Sequence, residues 1–145
     1  MEAEAKYVSS LFYHRDYGAD VSYASVLASW DAEEYGLLGS TEWVEEHVNW
    51  LTETTVAYLN IDVAVSGPRP VLGATPELHT IATELFKKIV FPNFGSFNKS
   101  LYDAWQDDNA GEAHVEVLGS GSDFTAFLHS GISSVSSSST CGVRN

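Results

Sequence analysis

Two short apolar runs, Val26-Leu27-Ala28 and Thr55-Val56-Ala57-Tyr58-Leu59-Asn60-Ile61-Asp62, flank a segment in which Trp43, Val44, His47, Val48 and Leu51 recur at helical spacing. Glu42, Glu45 and Glu46 occupy the opposite helical face. A strand, a helix and a strand in that order predict a βαβ unit, because parallel strands need a crossover of a dozen or more residues. This restricts the chain to an α/β fold, expected as a mostly parallel sheet with flanking helices. Val26–Ser29, Val56–Asp62 and Val115–Leu118 are its expected strands. Open sheets of this kind bind ligands outside the carboxyl ends of their strands. There the sequence places acids: Glu33 and Glu34 beyond the first run and Asp62 at the end of the second. Metal-assisted hydrolysis needs one carboxylate to hold a cation and a second, unbound, to take a proton from water. Glu33-Glu34 can supply that pair, although an Asp-x-Glu-Glu run is by itself more often a solvated turn.

Composition narrows the partners. With 145 residues the chain suffices for one modest domain. Lys+Arg 7 against Asp+Glu 20 gives a net charge of −13. That balance argues against nucleic acid or an anionic membrane, which require a basic footprint, and suits a cation-binding protein. The single cysteine, Cys141, excludes an internal disulfide and a cysteine-based zinc site. No apolar run reaches the roughly 18 residues of a membrane span. Met1-Glu2-Ala3-Glu4-Ala5-Lys6 lacks the basic and apolar regions of a signal peptide, so the compartment is left open.

The segment S-W-D-A-E-E-Y-G-L-L-G-S-T-E-W-V-E-E, from Ser29 to Glu46, closely resembles the catalytic segment of the glutamate carboxypeptidase II-like (M28) zinc peptidases. The resemblance implies a partial zinc-exopeptidase domain, phosphorylase/hydrolase-like in fold. It implies that Glu33 is the general base and Glu34 a zinc ligand. Phe12-Tyr13-His14-Arg15-Asp16 resembles the family's first metal motif, which makes His14 a zinc ligand and Asp16 the acceptor that orients its imidazole. Asp20, in Gly18-Ala19-Asp20, is the only candidate for the carboxylate that bridges two zincs, at a shorter spacing than in the family. The Tyr58-x-Asn60-x-Asp62 motif implies that Asp62 is another zinc ligand. Leu118-Gly119-Ser120-Gly121-Ser122-Asp123-Phe124 resembles the family's Leu-Gly-Ser-Gly-x-Asp-Phe, whose Ser-Gly lines the substrate cleft. Ser120, Gly121 and Ser122 are therefore the candidate substrate contacts; backbone N–H groups at such a turn suit a carboxylate. Ser122 also reads as the N-cap of a helix that buries Phe124, Phe127 and Leu128.

The family's crossover helix between the bridging Asp and the next strand has no counterpart between Asp20 and Val26, and the late zinc-binding His is not matched. His114, His129 and His47 sit outside any matching motif, and His79 reads as structural. The family holds two zincs; at most one is expected here, on His14, Asp62 and Asp20. Glutamate-preferring members carry arginines just after the Gly-Ile strand, where this chain has Ser133-Ser134-Val135-Ser136-Ser137.

Elsewhere, Ser66-Gly67-Pro68-Arg69-Pro70 reads as a loop. Pro76 opens a helix capped by Thr75, with Leu78, Ile81, Ala82, Leu85 and Ile89 on one face. Residues 91–109 read as a long surface connection in which Tyr102 and Trp105 pack. The expected organisation is a loose lead-in over 1–11, a partial catalytic domain over 12–135 and a Ser-rich disordered tail over 136–145. The function implied is a co-catalytic zinc carboxypeptidase-type exopeptidase acting on peptides, incomplete and weakly active or inactive as this chain. The alternatives are a non-catalytic binding relative like the transferrin receptor, or a non-functional gene fragment. The resemblance implies homodimerisation only through a domain that this chain does not match.

Overall fold

The computed structural model describes residues 10–13, 24–64, 66–91, 99–108 and 111–140. Two strands, β1 (Ser10–Tyr13) and β2 (Ala24–Leu27), pair antiparallel as a separate two-stranded sheet. Helix α1 (Leu38–Thr54) then leads to β3 (Tyr58–Ile61) and β4 (Arg69–Ala74). A 3-10 turn (Pro76–Leu78) runs into α2 (His79–Lys88), followed by α3 (Leu101–Asp108), β5 (Glu116–Val117), α4 (Phe124–His129) and β6 (Ser134–Thr140). The main sheet has the order β3-β6-β4-β5. β3 with β6 and β4 with β5 are parallel, and β4 with β6 is antiparallel. The fold is thus α/β with a mixed sheet and flanking helices.

Alternation along the strands sorts the helices. Tyr58 on β3 joins Val44 and Leu51 of α1, Ala126 and Phe127 of α4, and Ile132 in one apolar cluster. Tyr58 and Phe127 stack with ring centroids 3.8 Å apart. On the other face, Leu72 and Ala74 of β4 and Val135 of β6 pack against Ala82 and Phe86 of α2 and Trp105 of α3. The result is one sheet between two helical layers.

The structure differs from the sequence reading at four places. The Ser-rich stretch expected as a tail from Ser136 is strand through Thr140, placed between β3 and β4. Its side chains lack an apolar pattern, but its backbone ladders are satisfied on both sides. The strand expected over Val26–Ser29 lies outside the main sheet: it pairs with β1 across a connection far too short for a helical crossover, and short connections produce antiparallel pairs. Ser10 and Leu11, expected within the loose lead-in, belong to β1. Arg69 and Pro70, expected within the loop Ser66-Gly67-Pro68-Arg69-Pro70, begin β4. Pro70 is tolerated because β5 reaches only Gly73 and Ala74, so no ladder faces Pro70 on that side.

Helix α3 replaces part of the long connection expected over 91–109. Its start is a reciprocal cap: the Ser100 N–H and Oγ donate to Asp103 Oδ2 at 2.8 and 2.7 Å, and the Asp103 N–H donates to Ser100 Oγ at 3.1 Å. Tyr102 and Trp105 pack as expected, Trp105 being 3% exposed. In α2 the buried positions are Ala82 and Phe86, whereas Ile81, Leu85 and Ile89 are exposed. The i, i+4 row that includes Phe86 wins the core because an aromatic ring buries more area than any rival stripe member. Thr75 makes no side-chain cap; its hydroxyl faces β6, accepting from the Ser134 N–H at 3.1 Å. Among the described residues no helix is long and apolar enough to cross a membrane.

Leu72 is 1% exposed at the centre of the second layer. Leu72→Ala should therefore lower unfolding free energy by about 2–5 kcal/mol. Ser100→Ala should cost about 0.5–2 kcal/mol through the lost cap. Urea titrations followed by circular dichroism read both, and a Ser100→Ala midpoint equal to wild type would remove the cap from the account.

Candidate active site

The residues after Trp30 form a tight turn into α1. The carbonyl of Glu33 accepts the N–H groups of Gly36 and Leu37 at 3.0 and 2.8 Å, and the Asp31 carbonyl accepts the Gly39 N–H at 3.1 Å. The chain turns through left-handed backbone at Ala32 (φ 56), Gly36 (φ 109) and Leu37 (φ 59). Left-handed conformations at Ala and Leu are uncommon and persist where surrounding structure over-determines them. Gly39 permits the close approach: a Cβ there would lie 2.6 Å from the Asp31 carbonyl oxygen. The turn thus holds Glu33 half-buried and Glu34 exposed, beside the end of β3.

Asp62 follows β3 directly, and its Oδ1 accepts the Val63 N–H at 2.8 Å. Ser120 and Gly121 are exposed in the turn before α4, and Ser122 is buried. Ser122 does not cap α4, as its pattern suggested: Asp123 takes the cap position, and the Ser122 hydroxyl accepts from Asn60 Nδ2 at 3.1 Å. β3, α1 and α4 therefore meet at the same end.

Charge shows the convergence. The Glu33 carboxyl is held above its ordinary value, first by partial loss of solvent and then by the negative charges of Glu34, Asp123 and Asp62. Asp123 is raised as well, by burial and by Asp62, against a hydrogen bond from Ser40 that favours its charged form. One of its carboxylate oxygens, Oδ1, is buried without a partner. Burial also pushes the Tyr58 hydroxyl up to about 12. A group of carboxylates that raise one another's pKa is the environment in which a cation is most stabilising.

His14, Asp16 and Asp20 lie outside the described residues. Among the described residues, no three His, Cys, Asp or Glu side chains are disposed to hold a metal ion. The oxygen donors Glu34 and Asp62 suit a divalent cation in their chemistry, and the rest of a ligand set would come from beyond the described residues. Two of the other histidines have structural work. His47 stacks on Trp43 at 4.7 Å with Nδ1 on the Trp43 carbonyl, and His79 Nε2 bonds the Ala74 carbonyl at 3.0 Å. Asp123 is the residue that sequence reasoning passed over. It stood in the quoted Gly-Ser-Gly-Ser-Asp-Phe segment, but a carboxylate preceding a helix also reads as a cap.

A strand end, a tight acidic turn and a glycine-serine turn thus lie at one edge of an α/β sheet. The chain matches peptidase family M28 over residues 13–142, and it belongs to that family. It is 61% identical over 110 residues to a "Probable glutamate carboxypeptidase" of Arthroderma benhamiae, covering 76% of this chain and 15% of that protein. It is 40% identical over 111 residues to the "Probable glutamate carboxypeptidase LAMP1" of Arabidopsis thaliana, covering 76% and 16%. To the "Aminopeptidase NAALADL1" of Mus musculus it is 38% identical over 112 residues, covering 72% and 15%. The chain thus spans about one sixth of the length of these relatives.

Two outcomes follow from this geometry. Gly39→Ala should destabilise the chain by about 1–3 kcal/mol, since the Asp31 turn must shift to admit a methyl group; a urea midpoint within error of wild type would contradict the close approach. The second concerns pH in the metal-free chain. A carboxyl whose folded pKa is raised favours the folded state below its unfolded pKa and loses that contribution as pH rises through the folded value. Asp123→Asn should accordingly gain stability relative to wild type at pH 7 and lose that gain below pH 3. Urea midpoints at the two pH values in the presence of chelator test this, and an equal difference at both would refute it.

Proposed function

We propose that this chain is part of the catalytic domain of a zinc metallopeptidase of the carboxypeptidase type. The convergence of Glu34, Asp62 and Asp123 on Glu33 carries this reading, with membership of the M28 family behind it. Zinc would be held by Glu34 and Asp62, joined by His14 and Asp20, with Asp16 orienting His14. When bound, the metal supplies Lewis acidity and makes water a usable nucleophile near neutral pH. Glu33, not committed to the metal, takes a proton from the attacking water and delivers it to the leaving amine nitrogen. Its raised affinity for protons suits both steps, since a base serves best when its pKa approaches the working pH. The Ser120–Ser122 turn would position the peptide. As part of a longer protein the chain contributes these groups; taken alone, it should bind at most one zinc and hydrolyse peptides poorly.

In the whole protein, Glu33→Gln should lower kcat by about 10²–10⁴-fold with zinc content unchanged. Metal analysis beside release of C-terminal residues from free and blocked peptides reads both quantities. Loss of zinc in that variant would make Glu33 a ligand instead. A wild-type protein that holds zinc but releases no residue would favour a binding relative of the peptidases.

A further inference from the structure

We propose that Asn60 is the positioning residue of this site: its carboxamide ties the Ser122 turn to β3 two residues before Asp62 and, through Tyr58, to the Trp30 indole that leads into Glu33 and Glu34. The proposal rests on the reading of that turn as a substrate contact. Asn60 is 5% exposed on the inner face of β3, where an apolar side chain would be the ordinary occupant. Its hydrogen bonds form a directed relay. Trp30 Nε1 can only donate, and it donates to the Tyr58 hydroxyl at 3.1 Å. The Tyr58 O–H is then free to donate to Asn60 Oδ1 at 3.3 Å. That fixes the amide orientation, so Nδ2 donates to Ser122 Oγ at 3.1 Å and to Ser136 Oγ at 3.3 Å.

Four separate segments are thereby joined by one relay centred on Asn60. They are the approach to Glu33, strand β3 with Asp62 at its end, the substrate-side turn, and strand β6. A partly enclosed polar network of this kind favours one arrangement, because loss of the buried Asn60–Ser122 bond strands a partner away from water. Each serine accepts from Asn60, which leaves its own O–H to donate elsewhere. No other residue type of this size offers an acceptor to tyrosine and two donors to serines at once.

The test combines kinetics with hydrogen exchange in the full protein. With zinc loaded, Asn60→Ala should raise KM for a peptide with a free C-terminus tenfold or more, with zinc content unchanged. The Ser122→Ala, Asn60→Ala double variant should be no worse than Asn60→Ala alone. Amide exchange at Gly121 and Ser122, and indole exchange at Trp30, should each accelerate at least tenfold in Asn60→Ala. Should Asn60→Ala fail to fold, Ser122→Ala carries the same test, because it must speed exchange at the Trp30 indole, which it does not touch. Additive KM effects, or exchange that changes only along β3, would overturn the proposal. A wild-type protein without peptidase activity would sink the substrate-contact reading instead, while the exchange data still decide whether Asn60 couples the two segments.

Discussion

The backbone ladder of β6 is the interaction on which the rest depends. It is the inner strand that pairs β3 in parallel along Tyr58–Ile61 and β4 antiparallel along Arg69–Ala74. Without it, β3 would have no ladder partner among the described residues, and the two apolar clusters would lose the sheet that separates them. Its hydroxyl side chains contribute little burial, so its place is held by hydrogen bonds on both edges. The apolar contribution comes from the helices on either side, through the Tyr58–Phe127 stack on one face and Leu72, Phe86 and Trp105 on the other.

The same strand explains how much of the fold was legible in the sequence. Helix α1 was readable because Trp43, Val44, His47, Val48 and Leu51 repeat with helical period, and Val44 and Leu51 are buried as that period requires. β3 was readable for its β-branched and aromatic residues. β6 was hidden because Ser136-Ser137-Ser138-Ser139 has no alternation, and a strand satisfied through its backbone leaves no side-chain signature. β4 was hidden by Pro70, which only the shortness of β5 makes acceptable. The start of α3 was visible in principle, since Ser100-x-x-Asp103 is a capping signature. It was masked by the glycine- and asparagine-rich residues before it.

For the site, motif resemblance supplied Glu33, Glu34, Asp62 and the Ser120–Ser122 turn, and the fold brings the elements bearing them to one end of the sheet. Periodicity alone would not have found them, because an acidic turn looks like any solvated loop. What the sequence could not convey is mutual influence. Glu33 feels Asp62 and Asp123 although they are far away along the chain, and such coupling exists only after α1, β3 and α4 have packed. The tight approach of Gly39 to Asp31 is local by comparison. It makes the two glutamates part of the helix start instead of a free loop.

Strand β3 carries a further consequence. Leu59 and Ile61 are 70% and 75% exposed, and among the described residues β3 pairs only on its β6 side. An open strand edge bearing apolar side chains invites pairing with another chain, and natural edges are usually guarded by lysine, proline or a bulge. Here the guard is electrostatic and diffuse: a net charge of −13 keeps copies apart. Such repulsion fades beyond about 8 Å at physiological ionic strength. Added salt therefore weakens the one guard this edge has, and for the isolated chain it favours strand-to-strand contact between copies.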